Sequence, residues 1–137
     1  MERFLKPDYK PTNDDILNLR TVTQTVSDNV FQLTKNTIHI FDVSGLKHHR
    51  KLWLSYFDCV HSVLFVASLS AYDQVLVEDP TINRMSDALV LFEQMVNHSL
   101  LAKIDIILFL NKRDIYSKKV KQIPISKFFP EYQGRLR

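Results

Sequence analysis

Glycine is scarce in this chain. Only Gly45 and Gly134 occur among 137 residues, where about 7% is usual. Two glycines so far apart exclude both G-x-x-x-x-G-K and G-x-G-x-x-G, so these 137 residues hold no complete phosphate-binding loop. Cysteine is scarcer still. Cys59 stands alone, which excludes an internal disulfide and points to a reducing compartment. No run approaches the roughly 18 consecutive apolar residues of a membrane span. The opening Met1-Glu2-Arg3-Phe4-Leu5-Lys6-Pro7 lacks the apolar core of a secretory signal. Charge of one sign is also in short supply: 18 Lys and Arg face 15 Asp and Glu, a net +3. The two signs are interspersed, so the small excess leaves no nucleic-acid footprint. What is present is ordinary globular material, 45% hydrophobic and 24% charged, which excludes a disordered tail and fits one domain.

The chain shows no internal repeat. Its first 13 residues are polar, carry Pro7 and Pro11, and read as a loop. Thr12-x-x-Asp15 before Ile16-Leu17 predicts a capping box opening a short helix. Ser27–Leu33 and Thr37–Phe41 read as two strands around a turn at Lys35-Asn36. Val63–Ala67 and Ile104–Leu110 are short apolar runs of the kind buried on both faces of a parallel sheet. Between them, Met85, Ala88, Leu89, Phe92, Met95 and Val96 recur at helical spacing, with Asp79-Pro80 as the expected start. A second, shorter helix is expected over Lys47–Phe57. Strands alternating with helices predict an α/β layer architecture with right-handed crossovers. Ligands in such sheets lie at the carboxyl ends of the strands.

Two polar motifs fall at such ends. Asp42-Val43-Ser44-Gly45 follows Ile38–Phe41. An Asp at a strand end can hold hydrated Mg²⁺, and a Gly three residues on lets a backbone N–H approach a phosphate. By itself D-x-x-G is ordinary turn chemistry. Asn111-Lys112-Arg113-Asp114 follows Ile106–Leu110 and is more specific. A carboxylate there can accept from both N1–H and the 2-amino group of guanine, a pair of donors that adenine lacks. The Lys112 stem can lie along the base, while Asn111 ties the loop down.

The order of these motifs resembles the alpha subunit of heterotrimeric G proteins, over nearly the whole chain. Tyr9-x-Pro11-Thr12-x-x-Asp15-Ile16-Leu17-x-x-Arg20 is similar to the stretch leading out of the helical domain into switch I. Phe41-Asp42-Val43 with Gly45, then Arg50-Lys51-x-Trp53, resembles switch II. Leu69-Ser70-x-Tyr72-Asp73-Gln74-Val75-Leu76, Asn83-Arg84-Met85, Phe109-Leu110-Asn111-Lys112-x-Asp114 and Phe129-Pro130-x-Tyr132 complete the match. The resemblance implies an α/β, partial P-loop-GTPase (Ras-like) domain, with a mostly parallel sheet and flanking helices. Residues 1–19 would be the trailing edge of the helical insertion domain, and 20–137 a partial GTPase domain. The first strand with its P-loop would lie upstream of Met1, and the last strand and helix beyond Arg137. Glu2 stands where a myristoylated glycine would follow the initiator Met.

By the same resemblance, Arg20 is the arginine offered in cis to the transition state. Thr23 and Asp42 are the Mg²⁺ residues. Gly45 offers its N–H to the γ-phosphate, and Asn111, Lys112 and Asp114 read the base of GTP or GDP. Arg50, Lys51 and Trp53 lie on the face that receives a beta-gamma dimer or an effector; Trp53 and Phe57 fit equally well as core. Leu46 stands where the family's water-orienting Gln belongs, and a leucine can neither donate nor accept, so GTP hydrolysis is expected to be weak or absent. Ser44 and Thr25 replace family glycines. The expected role is a receptor-coupled signal transducer in the cytoplasm or on the cytoplasmic face of the plasma membrane. Receptor coupling is in doubt without the C-terminal helix, and nucleotide binding by these 137 residues is expected to be poor. The alternatives are a nucleotide-free partner-binding remnant and a non-functional fragment. His48-His49, with His39 and His61, are not expected to share a metal. Cys59 is expected to be buried, and Lys118-Lys119-x-Lys121 to be a solvated loop.

Overall fold

The computed structural model describes residues 8–19, 23 and 26–134. Two compact units divide at Gly45 and Leu46.

In the first unit, helix α1 (Asn13–Asn18) opens as its sequence predicts. The Thr12 hydroxyl accepts from the Asp15 N–H, and the Asp15 carboxylate accepts from the Thr12 N–H at 2.9 Å. The Tyr9 hydroxyl donates to the same carboxylate at 2.6 Å. Strands β1 (Ser27–Gln32) and β2 (Thr37–Asp42) form an antiparallel hairpin, with Ser27 opposite Asp42 and Gln32 opposite Thr37. The Leu33 N–H closes the turn on the Asn36 carbonyl at 2.8 Å. Val30, Phe31, Ile38 and Ile40 are all exposed.

The second unit carries the core. Strands β3 (Ser62–Ser68) and β4 (Asp105–Asn111) run parallel and in register, Ser62 opposite Asp105 and Ser68 opposite Asn111. Helix α3 (Arg84–Val96) makes the crossover that a parallel pair requires. Phe57, Met95 and Leu101 form the buried cluster, and Trp53, Val63, Phe65, Leu91 and Ile104 pack against it. The Phe65 and Phe92 rings meet edge to face at 5.2 Å.

The apolar strand runs are not buried on both faces: Val63 and Phe65 lie half-buried toward the core, while Leu64 and Val66 are 52% and 54% exposed. An unbroken apolar run carries no information on how many layers cover it. The expected mostly parallel sheet is, among the described residues, two separate two-stranded sheets, one antiparallel and one parallel. Helix α3 starts after Asn83 instead of Asp79-Pro80. The Asn83 side chain accepts from the Met85 and Ser86 N–H groups, while the Asp79 carboxylate is already engaged by the Thr81 N–H and hydroxyl. Of the helical stripe, Met95 is buried but Leu89 and Val96 are exposed.

Lys47–Phe57 is likewise not one α-helix. Lys47–Trp53 forms a 3-10 turn that leads into a four-residue helix, α2 (Leu54–Phe57). Leu46 occupies the N-cap and makes no side-chain cap, and the first turn carries Lys47 and no acid, so nothing offsets the dipole at this end. Helix α4 (Arg113–Lys119) and a 3-10 turn at Ile125–Lys127 follow β4.

Candidate nucleotide-binding site

The strongest sequence motif occupies the junction of β4 and α4. Asn111 ends the strand, and Lys112 turns left-handed, with φ 61° and ψ 36°. Lys112 is the non-glycine residue with positive φ among those described. Such a conformation costs an L residue about 1–2 kcal/mol and persists where the surroundings enforce it. Here the Asn111 Oδ1 accepts from the Lys112 N–H at 2.7 Å, and the Lys112 carbonyl accepts from the Tyr116 N–H at 3.0 Å. The turn places Asp114 in the first turn of α4, and Asn111, Lys112 and Asp114 are all exposed. An exposed carboxylate there can take two N–H donors from one planar base.

Helix α4 is fastened at its other end. The Lys119 ammonium donates to the Asp73 carboxylate at 2.7 Å and to the Ser70 carbonyl at 2.9 Å. Ser70 belongs to the 3-10 turn Leu69–Ala71 that follows β3. Tyr72, wholly buried, donates its hydroxyl to the Ile123 carbonyl at 2.6 Å. Burial, then the Asp73 charge, then Tyr116, push the Tyr72 hydroxyl above its ordinary value; burial, then Tyr132, does the same to Tyr116. Lys119 is therefore not part of a solvated loop.

The other predicted residues fall in two groups. In the first unit, Asp42 ends β2, Ser44 is buried and Gly45 is exposed. A Cβ on Gly45 would meet nothing within 4 Å, and its φ is not positive. Neither backbone strain nor crowding requires glycine there. Thr23 is half-buried outside any helix or strand. Arg20 and Thr25 lie outside the described residues. Asp42 and Thr23 are oxygen donors, a set that suits Mg²⁺, which takes one or two protein oxygens beside water and phosphate. Among the described residues no three His, Cys, Asp or Glu side chains gather as a metal cage. His48 and His49 meet ring edge to face at 4.1 Å.

In the second unit, Leu46 is half-buried. The Arg50 guanidinium forms a two-pronged bridge to Asp87 of α3, with Nη1 to Oδ1 at 3.2 Å and Nη2 to Oδ2 at 2.5 Å. The Lys47 N–H also reaches the Glu78 carboxylate at 3.4 Å. Lys51 is exposed, and Trp53 packs against the core cluster. Cys59 is exposed rather than buried; it follows the end of α2, where no layer covers it. The sequence placed Tyr72 and Asp73 in a family-like stretch and Lys119 in a charged run without giving any of them a role, and it did not single out Asp87; their partners lie too far along the chain for spacing to reveal.

A parallel β-α-β unit with polar turn chemistry at the carboxyl end of β4 places the second unit among α/β folds, whose ligands lie at that end of the strands. The model of the G-protein alpha subunit family matches residues 1–137. The guanine nucleotide-binding protein alpha-3 subunit of Mycosarcoma maydis is 43% identical over 134 residues, covering 98% of this chain and 38% of that protein. The guanine nucleotide-binding protein subunit alpha of Cryptococcus neoformans var. neoformans serotype D (strain JEC21) is also 43% identical over 134 residues, at 98% and 31% coverage. The alpha-2 subunit of Caenorhabditis briggsae is 42% identical, at 98% and 38%. The chain belongs to the G-protein alpha subunit family, whose fold is the Ras-like GTPase fold. It spans less than two fifths of the length of each of these relatives.

Proposed function

We propose that this chain supplies the base-reading and switch segments of a guanine-nucleotide-binding alpha subunit, a signal transducer governed by GTP and GDP. One observation carries the reading: the Asn111–Asp114 turn, held in a left-handed conformation at the end of a parallel strand. Asp114 accepts the guanine N1–H and 2-amino donors, the Lys112 stem covers the base face, and Asn111 fixes the turn. Gly45 offers its N–H to the terminal phosphate. Arg20 bridges charge developing on the phosphoryl oxygens. Thr23 and Asp42 would hold Mg²⁺, which neutralises phosphate charge when bound. Leu46 leaves the attacking water without an orienting side chain, so hydrolysis is slow.

The 3-10 turn Lys47–Trp53, pinned by Arg50–Asp87, supports a partner-binding role as well. Lys51 and the exposed part of Trp53 would meet a beta-gamma dimer or an effector. Location in the cytoplasm or at the cytoplasmic membrane face follows from this reading; no described helix is long and apolar enough to cross a membrane.

The test is Asp114→Asn. An amide offers one acceptor and one donor, matching xanthine (N1–H and C2 carbonyl) instead of guanine. Two charge-assisted hydrogen bonds at about 1.5–3 kcal/mol each bracket the roughly −4.1 kcal/mol of a 1 mM Kd, so binding is measured by NMR or calorimetry at millimolar nucleotide. The preferred base should change from guanine to xanthine. An unchanged preference would refute the assignment.

A further inference from the structure

The Asp73–Lys119 pair is costly in its own terms. Fixing a lysine side chain loses up to about 2 kcal/mol of rotamer entropy, and an exposed pair returns at most about 1 kcal/mol. Here the two side chains are 14% and 22% exposed, and the ammonium also donates to the Ser70 carbonyl while lying 5.8 Å from the Tyr72 ring centre. Tyr72 meets Tyr116 of α4 and Phe128 edge to face, each at 6.0 Å. Val120 is buried directly after the helix. Every one of these contacts joins the segment after β3 to α4 or to the residues just beyond it.

Helix α4 has seven residues, too few to hold a direction by its own hydrogen bonds. Its course is set by what its ends touch. One end is the left-handed Lys112; the other is Lys119. Asp114 lies five residues before Lys119, about 7.5 Å along a helix at 1.5 Å per residue. A shift at the far end therefore swings the carboxylate, and displacements near 1 Å are enough to spoil a two-point contact.

We infer that Lys119, seated on Asp73 and Tyr72, is a positioning residue for base discrimination: it aims the Asp114 carboxylate without touching the nucleotide. The inference rests on the assignment of Asn111–Asp114 as the guanine-reading turn. It concerns geometry, so it predicts loss of discrimination and not merely loss of stability. Inosine is the appropriate probe, since it keeps N1–H and lacks the 2-amino group. A correctly aimed carboxylate prefers guanosine over inosine by the worth of one charge-assisted hydrogen bond, tenfold or more.

The experiment is an NMR titration of the full chain with guanosine and, separately, inosine. Lys119→Met is compared with Lys118→Met, which removes the same charge one residue away, and with Lys119→Arg as the conservative replacement. The guanosine-to-inosine ratio should fall to within about threefold of one in Lys119→Met, persist in Lys118→Met and recover in part in Lys119→Arg. Equal weakening of both nucleosides by Lys119→Met would mean a merely structural role and overturn the inference. So would a ratio unaffected by the change. If Lys119→Met does not fold, Asp73→Asn, which keeps shape and loses the charge, is read by the same ratio. No preference in the unmodified chain would remove the base-reading assignment, and this inference with it; preference kept in both the unmodified and Lys119→Met chains would remove this inference alone.

Discussion

Lys112 adopts φ 61° where glycine would be the easy choice. Gly at this position would relieve about 1–2 kcal/mol of left-handed strain and lose about 0.5–1 kcal/mol through its greater unfolded freedom. Lys112→Gly should therefore be as stable as the parent or slightly more stable in urea unfolding, while its guanine binding weakens because the covering stem is gone. Tyr72 gives a second residue-scale prediction. A hydroxyl held more protonated in the folded chain contributes stability that is complete below the ordinary tyrosine value of 10.0 and is lost as pH rises through the folded value. The parent should thus lose stability above about pH 10. Tyr72→Phe should be about 1–3 kcal/mol less stable at pH 8, since the Ile123 carbonyl loses its buried donor, and should fall less steeply at alkaline pH. At this scale the sequence showed Asn111, Lys112 and Asp114 because their chemistry is contiguous. It hid Lys119, whose partner Asp73 lies 46 positions away, and it misplaced Cys59, because exposure depends on neighbours that composition does not name.

Local devices were legible at the scale of elements. The Thr12–Asp15 capping box and the hairpin follow from spacing within a few residues; the parallel pair joins two distant apolar runs through the helix between them. Helix starts were less legible where two caps compete: Asp79-Pro80 and Asn83 both suit an N-terminus, and Thr81 decides by engaging Asp79 first. The junction of the 3-10 turn, α2 and α3 depends on Phe57, which is 8% exposed in a cluster with Met95 and Leu101. Phe57→Ala should cost about 3–5 kcal/mol, measured as a shift in the urea midpoint. The Arg50–Asp87 bridge fastens the same turn to α3. Arg50→Ala leaves Asp87 without its partner, and amide exchange over Lys47–Trp53 should quicken well beyond that of β3 and β4.

At the scale of the molecule, the two units differ in what they bury. Among the described residues, the buried apolar side chains, Phe57, Ala71, Tyr72, Leu76, Met95, Leu101 and Val120, all lie in Leu46–Arg137. The hairpin of the first unit presents Val30, Phe31, Ile38 and Ile40 to solvent, and a lone hairpin is marginal in water. Amides of β1 and β2 should accordingly exchange faster than those of α3. The exposed faces and open edges of both sheets are an association hazard. That architecture was half legible: the apolar runs announced strands, yet nothing in them shows which neighbours complete a sheet.

The central claim is that Asn111–Asp114 reads guanine. Its most direct test is residue-resolved NMR of the ¹⁵N-labelled chain titrated with GDP and with ADP. Saturable shifts centred on the Lys112, Arg113 and Asp114 amides with GDP, absent with ADP, are the predicted result. Shifts elsewhere, or equal shifts with both nucleotides, would contradict it.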